Sequence, residues 1–165
     1  MRSTMLASCR FTRDFGPQES YQLATPATLS APRLSRDFIA SVLDATGHSS
    51  LIHNARICVS DLVTNVVQHA RGSAVAMEIG VGVARVVVAV LDAEPNRRPF
   101  LRFPRSDDER GRGLMLVKSL ASDSGVTLVW EGLSIVGKAV WFELRDSSGQ
   151  RPTGEPAVRP PVSES

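Results

Sequence analysis

The pattern of apolar and polar positions predicts three helices and five strands. The first helix begins after Ser30, a predicted N-cap, and stops at Gly47, where glycine relieves the turn out of the helix. β-branched runs bounded by glycine, proline and small polar residues predict strands. The helices are predicted at 31–46, 55–70 and 114–121, and the strands at 20–23, 74–81, 83–91, 126–130 and 139–144. His48-Ser49-Ser50 is predicted to be a loop between the first two helices, and Gly132 and Gly137 are predicted to join the last two strands. This order predicts an α+β fold, a two-layer sandwich in which helices cover one face of a mostly antiparallel sheet.

The second helix, Ala55 to Ala70, has two different faces. Its apolar positions recur near helical spacing and predict a wide stripe that packs on the sheet. That stripe consists of Ile57, Val59, Leu62, Val63, Val66, Val67 and Ala70. Asp61 and Asn65 stand four residues apart, so a carboxylate and a carboxamide share one helix face. Such a pair suits a general base and a Mg²⁺ ligand, although a solvated polar stripe gives the same pattern.

The two central strands predict a buried hairpin that ends at an acid. Val83 to Leu91 is almost continuously apolar, and Asp92 follows it at the rim of the sheet, where a ligand edge would meet its carboxylate. The hairpin is predicted to turn at Gly80-Val81-Gly82. A dinucleotide-binding loop is a poor match there because a third glycine and a following helix are missing.

An irregular stretch leads into a glycine-rich helix start. Residues 93–110 contain three prolines and many charged residues, and a segment of this kind inside a compact domain is typical of a functional lid or of a disordered insert. Gly111-Arg112-Gly113 follows, and Leu114 begins the apolar face of the third helix. Backbone N–H groups at such a helix start favour phosphate binding. The alternative interpretation is that the glycine-rich loop only turns into a helix and binds no ligand.

Composition predicts one domain with tails. The chain has 165 residues, 42% of them hydrophobic, and a formal net charge of +2, which argues against nucleic acid as a partner. Its two cysteines build no disulfide framework, and Cys58 is predicted to be a small buried hydrophobe. No stretch has the length of a membrane helix or signal peptide, so a cytoplasmic protein is expected. The predicted parts are a mobile segment at 1–17, the domain at 18–145 with a lid at 93–110, and a disordered tail at 146–165.

These motifs, in this order, resemble those of the GHKL ATPases, the ATP-binding fold shared by DNA gyrase, heat-shock chaperones, histidine kinases and mismatch-repair ATPases. More narrowly, the chain resembles the small stand-alone histidine-kinase-like ATPases of actinobacteria, which are related to anti-sigma factor serine/threonine kinases. SDLVTNVVQHA at 60–70 resembles the N box, VLDAEPNRRP at 90–99 a degraded first glycine box, and GRGLMLVKSLA at 111–121 the second. GKAVWFEL at 137–144 resembles the final strand.

The resemblance implies a role for each motif residue. Asn65 would coordinate Mg²⁺, Asp92 would accept a hydrogen bond from the adenine amine, and Asp61 takes the position of the catalytic base. The phosphates of ATP would lie on the second glycine box, at Gly111, Arg112, Gly113 and Leu114. The implied function is a regulatory ATP-binding protein that phosphorylates a serine of an antagonist. Its partners would be a sigma factor or an anti-anti-sigma protein, and a homodimer is an assembly that the resemblance allows.

Three positions depart from the family pattern. Asp61 replaces the usual glutamate and is one methylene shorter, a change of reach that can cost on the order of 10²-fold in rate. Ala93 stands where the first glycine box has glycine, and Ala139 is interpreted as the replacement of a threonine that holds the adenine. A catalytically impaired nucleotide-binding module, or pseudokinase, is therefore the alternative function.

Overall fold

A computed structural model of the protein describes residues 19–69, 74–92, 112–131 and 133–146. These residues form β1 (Glu19–Pro26), α1 (Ala31–Ala45), α2 (Ile52–His69), β2 (Ala74–Val81), β3 (Arg85–Asp92), α3 (Arg112–Leu120), β4 (Asp123–Glu131) and β5 (Ser134–Arg145). The predicted α+β architecture is confirmed. The predicted N-terminal segment, the lid, Gly111 and the tail from residue 147 lie outside the described residues.

The five strands form one antiparallel sheet in the order β1-β2-β3-β5-β4. β3 is central, and its alternate residues Val86, Val88 and Val90 are fully buried in the main core. β1, predicted as a short edge strand, is at the edge of the sheet and is longer than predicted. β3 has a neighbouring strand on each side and side chains packed on both faces. This explains why its sequence is an almost unbroken apolar run.

The helices supply the second layer. α1 contacts β1 and β2, α2 contacts the three central strands β2, β3 and β5, and α3 contacts α2 and β4. The predicted stripe of α2 is buried at Val59, Leu62, Val63 and Val66, with Ile57 and Val67 half-buried at its margins. Cys58 is fully buried within this core, as predicted. No helix in the described ranges is long and apolar enough to cross a membrane.

The ends of α1 show one correct and one incorrect prediction. Gly47 has a φ of 79°, and the N–H groups of Gly47 and His48 donate to Asp44 O at 3.3 Å and Leu43 O at 2.8 Å. This is a Schellman stop of the kind that favours glycine. Ser30 occupies the N-cap position, but its side chain caps no backbone N–H; its hydroxyl lies 2.8 Å from the Thr28 hydroxyl instead. The Ser30 side chain therefore does not form the predicted cap.

Three other element boundaries differ from the predicted ones. α2 begins at Ile52, three residues before the predicted start, and a 3₁₀ turn at Ser49–Leu51 replaces the predicted loop. Gly80, predicted to lie in the hairpin turn, is inside β2, and the turn is closed by the Gly82 N–H donating to Arg85 O at 2.9 Å. Gly137, predicted to join β4 to β5, is inside β5 beside a shift of register at Val129 and Trp130.

The sheet face opposite the helices has its own small apolar set. Val87, Ala89 and Ala139 are buried but do not belong to the main core cluster. On the same face the Trp141 indole lies so close to Gly125 that an added Cβ there would be 2.9 Å from the ring. Residues of odd number on β5 from Ala139 to Glu143 therefore lie on the second face, while Val140 and Phe142 face the helices.

Candidate functional site

Asp61 and Asn65 lie on the same side of α2, outside its buried stripe. Both residues are half-buried, which leaves each side chain reachable from solvent while shielding part of it. Among the described residues neither side chain has a hydrogen bond or an ion pair. Residues four apart on a helix have Cβ atoms about 5–6 Å apart, so a single ligand of phosphate size reaches both. The two polar groups that the sequence singled out are therefore free to bind one.

α2 is held in place from its outer side by α1. The Arg36 Nη1–H donates to the Ser60 hydroxyl at 3.1 Å, and Ser60 Oγ–H donates in turn to the Arg56 carbonyl at 2.7 Å. Arg56 also lies 3.7 Å from a carboxylate oxygen of Asp37 on α1. These contacts join the two helices at the residue that precedes Asp61.

The C-terminal end of α2 and the end of β3 lie at the same end of the sheet. Residues 70–73 join the last residue of α2 to Ala74, the first residue of β2. Val75 is paired with Asp92, the last residue of β3, and Asp92 is paired on its other side with Lys138. Asn65 lies four residues before the end of α2, about 6 Å along the helix axis. The structure thus brings the element of Asn65 and the backbone of Asp92 to one edge.

α3 packs against α2, and its C-terminal end is fixed near the start of β4. Val117 is fully buried in the main core, and the Ser122 N–H, two residues after α3, donates to Glu143 O at 2.8 Å. That bond fixes the C-terminal end of α3 beside the start of β4, away from the sheet end where Asp92 lies. Arg112, Gly113 and Leu114 form the opposite end of the helix. The first N–H groups of a helix have no partner within it, so this end has donors for an anion.

Burial sets the electrostatics of α2 near Asp61. Partial burial raises the pKa of the Asp61 carboxyl above its ordinary value, because desolvation penalises the charged form. Burial, and secondarily the charge of Asp61, raises the pKa of the Cys58 thiol to about 11. The Asp61 carboxyl therefore binds a proton more readily than an exposed aspartate does. The thiol, in contrast, stays protonated and inert across the physiological range.

The raised thiol pKa predicts a loss of stability at alkaline pH. The unfolded thiol ionises near its ordinary value of 9.0 and the folded thiol at about 11. Between these values the folded state holds more protons than the unfolded state, so the free energy of unfolding falls as pH rises through this window. We expect urea unfolding at pH 8 and pH 10.5 to show this fall, and we expect Cys58→Ala to reduce it. An equal fall in both proteins would assign the effect to other groups.

The donor set fits a metal that is shared with a ligand. Among the described residues no group of three His, Cys, Asp or Glu side chains is placed to hold a metal. Mg²⁺ is commonly bound by one or two protein oxygens together with substrate phosphates and water. Asn65 is half-buried and has no partner within the described part of the chain, so its amide oxygen suits that kind of coordination, and the Asp61 carboxylate adds negative charge beside it.

The register of β5 corrects the interpretation of Ala139. Ala139 is paired with Leu91 and belongs to the buried set on the sheet face opposite the helices. A residue there cannot hold a ligand that lies between the helices and the sheet. Lys138, paired with Asp92, is the residue of β5 at the relevant edge, and sequence reasoning missed it. Counting alternate positions back from Phe142 and Val140, which face the helices, would have found it.

A family model described as a histidine kinase-like ATPase domain matches residues 25–144. The chain belongs to this family. The matched range runs from β1 to β5, so it contains Asp61, Asn65, Asp92 and the first turn of α3. Histidine kinase-like ATPase domains bind ATP with Mg²⁺, which agrees with the polar groups described above. A search of the curated proteins finds no match to the chain.

Proposed function

We propose that this histidine kinase-like ATPase is a regulatory protein kinase of the anti-sigma type, akin to the small actinobacterial proteins that its motifs resemble. It binds Mg-ATP and transfers the γ-phosphoryl group to a serine of an antagonist protein, while its other partner is a sigma factor. The observation that carries the proposal is the match of residues 25–144 to the ATPase family, together with the half-buried Asp61 and Asn65, which have no partner among the described residues.

Each residue has a definite task in this proposal. Asn65 contributes its amide oxygen to the Mg²⁺ that neutralises the phosphates, and Asp92 accepts a hydrogen bond from the base. The N–H groups at the start of α3 receive phosphate oxygens, with Gly111, Arg112, Gly113 and Leu114 around them. Phosphoryl transfer depends mostly on positioning and charge neutralisation, so these contacts supply most of the catalysis.

Asp61 takes the proton of the attacking serine hydroxyl. The serine oxygen forms a bond to the γ-phosphorus, the bond from that phosphorus to the β–γ bridging oxygen breaks, and ADP leaves with the electron pair. The released hydroxyl proton goes to the Asp61 carboxylate. Burial favours this role, because it raises the pKa of the carboxyl and so makes it a better proton acceptor near neutral pH.

The second candidate function is a nucleotide-binding module without turnover. It is supported by the shorter reach of Asp61 and by Ala93 in the first glycine box. Such a module keeps the fold and uses nucleotide occupancy to shape a surface for the same partners. It differs from the kinase only in the chemical step. A substitution at position 61 therefore distinguishes the two functions.

Lengthening the acid at position 61 tests the kinase. The full chain and Asp61→Glu are incubated with Mg-ATP and a serine-bearing antagonist of the anti-anti-sigma class from the same source, and phosphate incorporation is measured. We expect the parent to transfer phosphate and Asp61→Glu to change the rate less than about tenfold. A gain on the order of 10²-fold would identify the parent as the impaired module. Asp44→Glu, an exposed acid on α1, is the matched control.

A further inference from the structure

We propose that the arginine surface between α1 and α2, formed by Arg33, Arg36 and Arg56, is the docking site for an acidic segment of the antagonist protein. The inference rests on the proposed kinase and adds where its protein substrate is held. Arg56 Nη2 lies 3.7 Å and Arg33 Nε lies 3.9 Å from carboxylate oxygens of Asp37. Within the described ranges Asp37 is the only acid that contacts the arginine surface, which therefore has an excess of positive charge.

Arg36 is the member of the arginine surface whose charge is least compensated. It is half-buried, and its Nη1–H donates to the Ser60 hydroxyl, a neutral acceptor, at 3.1 Å. No carboxylate contacts Arg36 in the part of the chain that the structure describes. Shielding a cation from water without a counter-ion costs free energy. A carboxylate brought by a partner is therefore favoured beside Arg36 more than beside a fully exposed arginine.

The ion pairs with Asp37 leave most of the hydrogen-bonding capacity of Arg33 and Arg56 unused. Both distances are longer than a hydrogen bond, and the two arginine side chains are 81% and 45% exposed. A guanidinium has five N–H donors and takes a carboxylate through two parallel hydrogen bonds. Asp37 in the middle of the surface and a formal net charge of only +2 disfavour a nucleic acid backbone. The surface therefore fits the carboxylates of an acidic protein segment.

The position of the arginine surface suits a substrate whose serine reaches Asp61. Ser60, the acceptor for Arg36, directly precedes Asp61 on α2. Successive residues of a helix are about 100° apart around its axis, so Ser60 and Asp61 lie on adjoining flanks of α2. The width of a helix is roughly 10 Å, a distance that a single antagonist domain spans. An acidic segment on one flank thus holds the antagonist while its serine is presented on the other.

A self-contained network of ion pairs is the competing explanation of the arginine surface. In that case the three arginines stabilise the contact between α1 and α2 and bind no partner. Their substitution would then lower the free energy of unfolding and leave the affinity for the antagonist unchanged. Docking predicts instead that this affinity depends on the arginines and falls as salt is added, because salt screens exposed charges.

The test is calorimetric titration of the full chain, in Mg-ADP, with a serine-bearing antagonist of the anti-anti-sigma class from the same source. It is repeated with Arg36→Met, Arg56→Met and Arg33→Met. Loss of one hydrogen bond between charged groups corresponds to an affinity loss of about tenfold to a hundredfold, which we expect in each variant. Arg33 contacts only Asp37 on its own helix among the described residues, so Arg33→Met keeps the test valid if Arg36→Met unfolds.

Lys118→Met is the matched control, because it removes one exposed positive charge from the last turn of α3. We expect it to change the affinity less than about twofold; a loss as large as in the arginine variants would overturn the docking site. Parent-like affinity in all three arginine variants would overturn it as well, and phosphate transfer by the parent would then leave the kinase intact. An antagonist that binds through the arginines but receives no phosphate would support the docking site and overturn the kinase.

Discussion

Asn65→Ala is expected to weaken Mg-ATP binding by about a hundredfold while the fold stays intact. The amide oxygen of Asn65 is proposed as the protein ligand of the Mg²⁺ that accompanies the phosphates, and alanine leaves that position to water. A hundredfold loss corresponds to about 2.7 kcal/mol, a plausible share for one metal ligand beside the remaining phosphate contacts. Calorimetric titration with Mg-ATP measures the change, and thermal unfolding of the free variant checks the fold.

Gln68→Ala is the control for Asn65→Ala. Gln68 also has a carboxamide and lies on the same helix, but it is exposed and three residues further on. We expect its removal to change the affinity less than about twofold. Binding of Mg-ATP by Asn65→Ala as tight as that of the parent would rule out Asn65 as the metal ligand. A loss of the same size in both variants would point instead to a general effect at the end of α2.

Phe142→Ala is expected to lower the free energy of unfolding by about 3–5 kcal/mol. Phe142 is fully buried and is paired with Val88 on the central strand, so its ring lies between the sheet and the helices. Alanine would leave a cavity there that the surrounding rigid strands cannot fill by moving. Urea unfolding at neutral pH, followed by circular dichroism, measures the loss.

Val83→Ala provides the comparison for the core substitution. Val83 lies in the turn between β2 and β3 and is fully exposed, so its truncation should change the free energy of unfolding by less than about 0.5 kcal/mol. If Phe142→Ala cost less than about 1 kcal/mol, the layer between the helices and the sheet would be more loosely packed than the complete burial of Phe142 indicates.

The partial burial of Asp61 has a double effect on the proposed chemistry. It raises the pKa of the carboxyl, which strengthens the residue as a proton acceptor, while the short side chain reduces its reach. The buried residues Val59, Val63 and Val66 fix α2 in the main core, so a movement of the helix that made up the missing length would disturb that packing. The balance between basicity and reach is what Asp61→Glu measures.

Features that depend on residues near one another in the chain were predicted correctly from the sequence. The spacing of Val59, Val63 and Val66, four and three residues apart, predicted the buried side of α2. The β-branched run before Asp92 predicted the central strand. Gly47 was identified as the end of α1 because left-handed backbone at that point favours glycine, and the structure has it there. Each of these signals depends on residues that are near one another in the chain, so no knowledge of distant partners was needed.

Tertiary pairing decided the remaining features. Whether Gly80 and Gly137 lie in turns or in strands depended on pairing with other strands. The largest change concerned β5: the family resemblance led to the interpretation of Ala139 as the replacement of an adenine-holding threonine, and the register placed it on the far face and paired Lys138 with Asp92. A shift of one residue along a strand exchanges its two faces. The sequence therefore determined which elements form and which polar groups they carry, while strand pairing decided which of those groups share an edge.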